Sequence, residues 1–321
     1  VVGQSVRGAA HVRAGTPNQD AIHWLPESSV GLPLILAVAD GHGSRKSFRS
    51  ESGARLAVET AAAVINDFLR GQNQTESLSV TKRAAEEWLP TALTRRWLEA
   101  VAEHLASHPL SPVELAVPGE VAAVPAREAA PSKTAVAYGT TVLAAAVTAN
   151  FILYLQLGDG EILSVSREGE VSRPLPKDER LFANETTSLC SPEAWRDFRV
   201  SFQVMPNAPP ALILLSTDGY SNSFQDEAGF LKVGSDLLDM IRNTAGGLDM
   251  VNEHLESWLT ESTYAGSGDD ITVGLICSVD AVAARAAGES RPSNLKQRRA
   301  EQQQPEFDKS DAHDAPLEHE V

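Results

Sequence analysis

The sequence predicts an α+β fold, in which strands and helices come in separate blocks. Short apolar runs broken by Gly, Pro and Asn fill residues 1–40. Two long segments with helically spaced apolar residues follow in succession. A second block of closely spaced strand-like runs comes next, and it leads to another helix pair and one last strand.

In chain order, residues 1–8, 21–25 and 34–39 have strand character. Residues 15–20 read as a turn that delivers Asp20 to the start of the second strand. If the second and third strands pair antiparallel, Asp20 and Asp40 share one sheet edge. Residues 48–69 space Leu56, Val58, Ala62, Ile65 and Leu69 along one helix face, and Gly71 closes the segment. Residues 80–105 repeat the pattern with Trp88, Leu89, Leu93, Trp97, Leu98 and Val101, and Pro90 predicts a break or restart inside it. Residues 109–133, rich in Pro, Ala, Val and Glu, are expected to form an exposed, disordered loop.

Strands resume at 137–148, 152–157, 161–166 and near Val171. Ala149-Asn150 and Asp159-Gly160 carry hairpin-turn chemistry, so this stretch reads as a meander. Residues 177–195 are polar and suit a long loop of the kind that covers functional sites. Strands are expected at 198–205 and 211–217, helices at about 227–242 and 248–263, and a last strand at 271–278. The expectation is one folded domain over 1–284 with a disordered polar tail over 285–321.

The 43 acidic against 27 basic residues give a formal charge of -16, which argues against a nucleic-acid partner. The same balance suits a protein that gathers divalent cations, although acidity is common among globular proteins. Cys190 and Cys277 lack metal-site or disulfide-scaffold spacing. No apolar run approaches the ~18 residues of a membrane span. The start, Val1-Val2-Gly3, shows no secretory pattern, so a cytoplasmic monomer is expected.

Four stretches share one grammar, an apolar strand beside a loop acid, in most cases next to glycine. They are Asn18-Gln19-Asp20, Asp40-Gly41-His42-Gly43, Thr217-Asp218-Gly219 and Gly268-Asp269-Asp270. Carboxylates gathered at one sheet edge repel unless a cation sits among them, and a hard divalent ion such as Mg²⁺ or Mn²⁺ takes oxygen ligands. Asp159 reads instead as a hairpin-turn residue.

These four, with Gly139-Thr140-Thr141 and Gly158-Asp159-Gly160, stand in an order that resembles the metal-dependent serine/threonine protein phosphatases of type 2C, especially the bacterial branch. The resemblance runs from about residue 1 to residue 279. It implies a four-layer α/β/β/α sandwich of two antiparallel sheets packed face to face with helices outside. It implies two Mg²⁺ or Mn²⁺ ions, bridged by Asp40, with the Gly41 carbonyl, Asp218, Asp269 and Asp20 at the same centre. A water bridging the ions would attack phosphoserine or phosphothreonine, with His42 as general acid for the leaving oxygen. The implied partners are a phosphorylated protein and a cognate serine/threonine kinase.

The sequence departs from that family at three places. Gln19 stands where many members have a glutamate ligand, which leaves the second ion short of a carboxylate unless Asp20 takes over. Gly15 stands near an arginine that grips the phosphate in eukaryotic members, so His11, Arg13 and Arg45 become the phosphate-binding candidates. Val136, Ala137 and Tyr138 occupy the approach where bacterial members with a third ion have an Asp. A catalytically impaired pseudophosphatase or sensor of the same fold, or a phosphohydrolase of small esters, are the alternative readings.

Overall fold

The computed structural model describes residues 1–72, 77–115, 134–178, 186–205, 209–244 and 246–283. The strands form two five-stranded antiparallel sheets. In the first, β1 (Val2–Val6), β10 (Ile271–Cys277), β9 (Leu212–Ser216), β6 (Glu161–Val165) and β7 (Val171–Ser172) lie side by side in that order. In the second, the order is β2 (Ala21–Leu25), β3 (Leu34–Ala39), β4 (Val142–Val147), β5 (Phe151–Leu157) and β8 (Arg199–Val204). The helices are α1 (Ala9–Ala14), α2 (Ser50–Gly71), α3 (Leu78–Ser107), α4 (Pro112–Leu115), α5 (Asp218–Ser221), α6 (Glu227–Asn243), α7 (Gly247–Ala265) and α8 (Val279–Ala283).

Strand alternation builds both the inner and the outer core layers. On β3, Leu34, Leu36 and Val38 pack with Ile213 and Leu215 of the other sheet. The alternate residues Ile35, Ala37 and Ala39 pack with Ala54, Ala57, Leu93 and Trp97 of α2 and α3. On β9, Leu212 and Leu214 join Leu237 and Leu255 of α6 and α7. The result is the expected α/β/β/α sandwich. Small residues on the outer face of β3 and β4, among them Ala37, Ala144 and Ala146, let α2 lie close to the sheet.

The sheet register gathers the loop acids. Ala21 pairs with Ala39, so Asp20 and Asp40 flank one antiparallel pair at the same edge. In the other sheet β9 pairs antiparallel with β10, so Asp218 after β9 and Asp269 before β10 share an edge as well. Thr217 Oγ1 donates to Asp20 Oδ2 at 2.7 Å and joins the two edges.

The structure corrects several sequence expectations. α3 runs unbroken through Pro90. A proline in a helix costs about 3 kcal/mol, but Leu89, Leu93, Trp97 and Val101 are all buried, and each such side chain contributes about 2 kcal/mol. Residues 136–138 form a 3₁₀ turn rather than the start of β4. Asp159-Gly160 does not close a hairpin, because β5 and β6 belong to different sheets and the chain crosses between them there. Within the expected 109–133 loop, Pro112–Leu115 is a short helix, and residues 116–133 lie outside the described residues. The expected tail, 285–321, lies outside them too, as do residues 179–185 of the expected 177–195 loop.

α1 was not expected from the sequence. It is a turn and a half held by distant groups: Ala9 N–H donates to Thr263 Oγ1 at 3.0 Å and Ala10 N–H to the Gly268 carbonyl at 2.7 Å. Such a helix has almost no local signal.

Gly53 marks the closest approach of α2 to the 136–138 turn, since a Cβ there would stand 1.9 Å from the Tyr138 carbonyl oxygen. The Gly53 carbonyl also accepts Trp97 Nε1–H at 3.1 Å. Gly53→Ala is therefore expected to destabilise the chain by about 3 kcal/mol, read as a Tm fall of roughly 6–10 °C. An unchanged melting curve would show that α2 can move away at no cost.

Candidate metal centre

Asp40 stands at the end of β3, where the chain turns through two glycines. The Gly139-Thr140-Thr141 stretch laces this loop in place. Thr141 Oγ1 accepts the Asp40 amide at 3.0 Å, Thr140 Oγ1 donates to the Asp40 carbonyl at 2.8 Å, and the His42 amide donates to the Gly139 carbonyl at 3.0 Å. Gly41 leaves no room for a side chain, because a Cβ would lie 2.5 Å from the Gln19 carbonyl oxygen. Backbone can thus come close to whatever occupies the cleft.

The cleft in front of this loop has a volume of about 1380 Å³. Asp40, Gly41, His42, Asp218, Asp269, Asp159 and His11 are among the residues that line it. Asp20 does not reach the wall. It is buried and accepts from Thr217. Of the three phosphate-binding candidates only His11 lines the cleft, while Arg13 and Arg45 are exposed outside it.

Burial dominates the electrostatics. It pushes the Asp40 carboxyl well above the usual carboxylate range, and the charges of Asp20 and Asp218 push it further. Asp20 is raised by burial in the same way, against the pull of its Thr217 hydrogen bond. Asp218 is raised by burial and then by Asp159. The Asp40 and Asp218 carboxyls stand close enough for each to act on the other's titration. Asn222 Nδ2 donates to Asp218 Oδ2 at 3.0 Å and fixes that side chain. Burial lowers the pKa of His42, while Asp159 acts in the opposite direction.

The donors that line the cleft include the carboxylates of Asp40, Asp159, Asp218 and Asp269 and the backbone at Gly41, the oxygen set that hard divalent ions prefer. Among the described residues no three His, Cys, Asp or Glu side chains form a ready cage. An ion held by so few protein ligands keeps much of its water, which is the habit of Mg²⁺. The residues present therefore fit a divalent ion.

Two positions have places that the sequence reading did not give them. Asp159 was taken for a turn residue, yet it faces His42 and Asp218 across the cleft. Asp270 is 3% exposed, and it accepts the Gly8 and Gln19 amides at 2.6 Å each. It ties the start of β10 to the two segments that carry His11 and Asp20. The doubled acid Asp269-Asp270 was the available signal, because two adjacent acids before a strand point to opposite sides.

The profile of a family described as Protein phosphatase 2C matches residues 7–260. No curated protein matches the sequence. The solved serine/threonine phosphatase Stp1 from Staphylococcus aureus is similar at a TM-score of 0.51 and 12% identity, over 87% of this chain and 95% of that one. A bacterial serine phosphatase is similar at a TM-score of 0.51 and 13% identity, over 86% of this chain and 96% of that one. At such identities the structural likeness speaks for the fold. With the family match spanning most of its length, the chain belongs to the protein phosphatase 2C family of metal-dependent serine/threonine protein phosphatases.

Proposed function

We propose that the chain hydrolyses phosphoserine and phosphothreonine in proteins at the acid-lined cleft, with two Mg²⁺ or Mn²⁺ ions held by Asp40, the Gly41 carbonyl, Asp218 and Asp269, and with Asp20, off the cleft wall, adding its charge beside Asp40. The observation that carries this reading is the gathering of Asp40, Asp159, Asp218 and Asp269 on one cleft wall, a concentration of carboxylates that a cation would relieve. Bound there, the ions lower the pKa of water and neutralise phosphoryl oxygens. His42 donates its proton to the serine or threonine oxygen as the phosphorus–oxygen bond breaks. Asp159 favours the protonated imidazole, offsetting part of what burial removes. The natural antagonist of such an enzyme is a serine/threonine kinase.

Phosphate release from a phosphothreonine peptide tests the reading. Turnover with Mn²⁺ is expected to fall about 100-fold or more on chelation, and Asp218→Asn to fall by a similar factor. Metal-independent turnover, or full activity in Asp218→Asn, would refute it. Hydrolysis of p-nitrophenyl phosphate without any peptide turnover would favour the small-ester reading.

The His42 role has its own test. A Cβ on Gly139 would lie 2.7 Å from His42 Cδ2 and 2.9 Å from Ser47 Oγ, so Gly139→Ala displaces the imidazole. Peptide turnover is expected to drop by about 10- to 100-fold. Turnover of p-nitrophenyl phosphate should change far less, because p-nitrophenolate leaves without a proton. Equal losses on both substrates would assign His42 to some other task.

A further inference from the structure

His11 lies on α1 and forms part of the cleft wall, with 19% of its side chain exposed. Its Nδ1 is 2.8 Å from Oδ2 of Asp270. That carboxylate is itself fixed by the Gly8 and Gln19 amides, and it places a negative charge beside the ring. Nδ1 makes no aligned hydrogen bond there, but a proton on the nitrogen that stands beside the Asp270 carboxylate leaves the lone pair on Nε2. Nε2 stands 3.6 Å from Asp269 Oδ1. That is too long for a hydrogen bond, yet shorter than twice the ~2.1 Å bond of a small divalent ion to nitrogen or oxygen. An imidazole backed by a buried carboxylate, with its free nitrogen beside a second carboxylate at an open cleft, is the arrangement of a metal-ligating histidine. The nearby Gln19 amide is engaged elsewhere, donating to Ser50 Oγ at 2.6 Å.

We propose that His11 and Asp269 together ligate a divalent ion at the cleft wall. This adds an imidazole nitrogen to a centre otherwise built of oxygen ligands, and it turns the preference of that position from Mg²⁺ toward Mn²⁺ or Zn²⁺. The inference rests on the metal reading of the cleft given above.

Pulsed electron paramagnetic resonance of the whole chain loaded with Mn²⁺ tests it. The wild type is expected to show modulation from a directly bound imidazole nitrogen. That signal should persist in His42→Gln and vanish in His11→Gln, whose Kd for Mn²⁺ should rise about 10- to 100-fold. The Kd for Mg²⁺ should change much less. Of the described residues lining the cleft, His11 and His42 are the histidines. His42→Gln therefore decides the matter even if thermal melting shows the His11 variant to be unfolded.

A nitrogen signal that survives in folded His11→Gln, or is lost in His42→Gln, overturns the assignment. So does a folded His11→Gln whose Mn²⁺ affinity is unchanged while inorganic phosphate binds more weakly. A wild type that binds Mn²⁺ without any nitrogen signal overturns it and leaves the phosphatase reading intact. A wild type that binds no Mn²⁺ removes both.

Discussion

Asp40 and Asp218 follow strands of different sheets and stand close enough to act on each other's charge, and much of the molecule's design follows from that proximity. Two buried carboxyls cannot both ionise at such range without a compensating positive charge. Their meeting is forced by topology. β3 and β9 lie in facing sheets, and each ends at the shared edge, while β2 and β10 begin there. The crossing at Gly158-Asp159-Gly160 passes from one sheet to the other at the same edge and brings a further acid. Two sheets packed through Leu36, Val38, Ile213 and Leu215 hold these ends in fixed relation, so the charge cluster is set by the apolar core.

Much of this was legible in the sequence because it depends on local pattern. The strand ends before Asp40 and Asp218, the turn before Asp20 and the last strand all lie where apolar runs stop at polar loops. The antiparallel pairing of β2 with β3, which puts Asp20 and Asp40 at one edge, was legible too, and Ala21 pairs with Ala39. The sheet assignment of β5 and β6 was not legible. Asp-Gly has the same chemistry whether the chain folds back beside itself or crosses to a facing sheet, and both strands are buried on the core side in either case.

The unread features share a physical cause, which is dependence on distant partners. α1 exists because Thr263 and Gly268 receive its first amides, some 250 residues away in sequence. Pro90 is carried inside α3 by Trp97 and its buried neighbours rather than by helix propensity. Asp270 looked like a companion of Asp269, yet its two oxygens serve Gly8, Gln19 and His11 from inside the fold. In each case the residue type was visible and the partner was not.

Crystals soaked in Mn²⁺ and measured on either side of the manganese absorption edge would locate the cations themselves. The reading of Asp40 and Asp218 as cation ligands predicts an anomalous peak about 2.1 Å from a carboxylate oxygen of each. A map with no peak between them, in a crystal that holds manganese elsewhere, would contradict it.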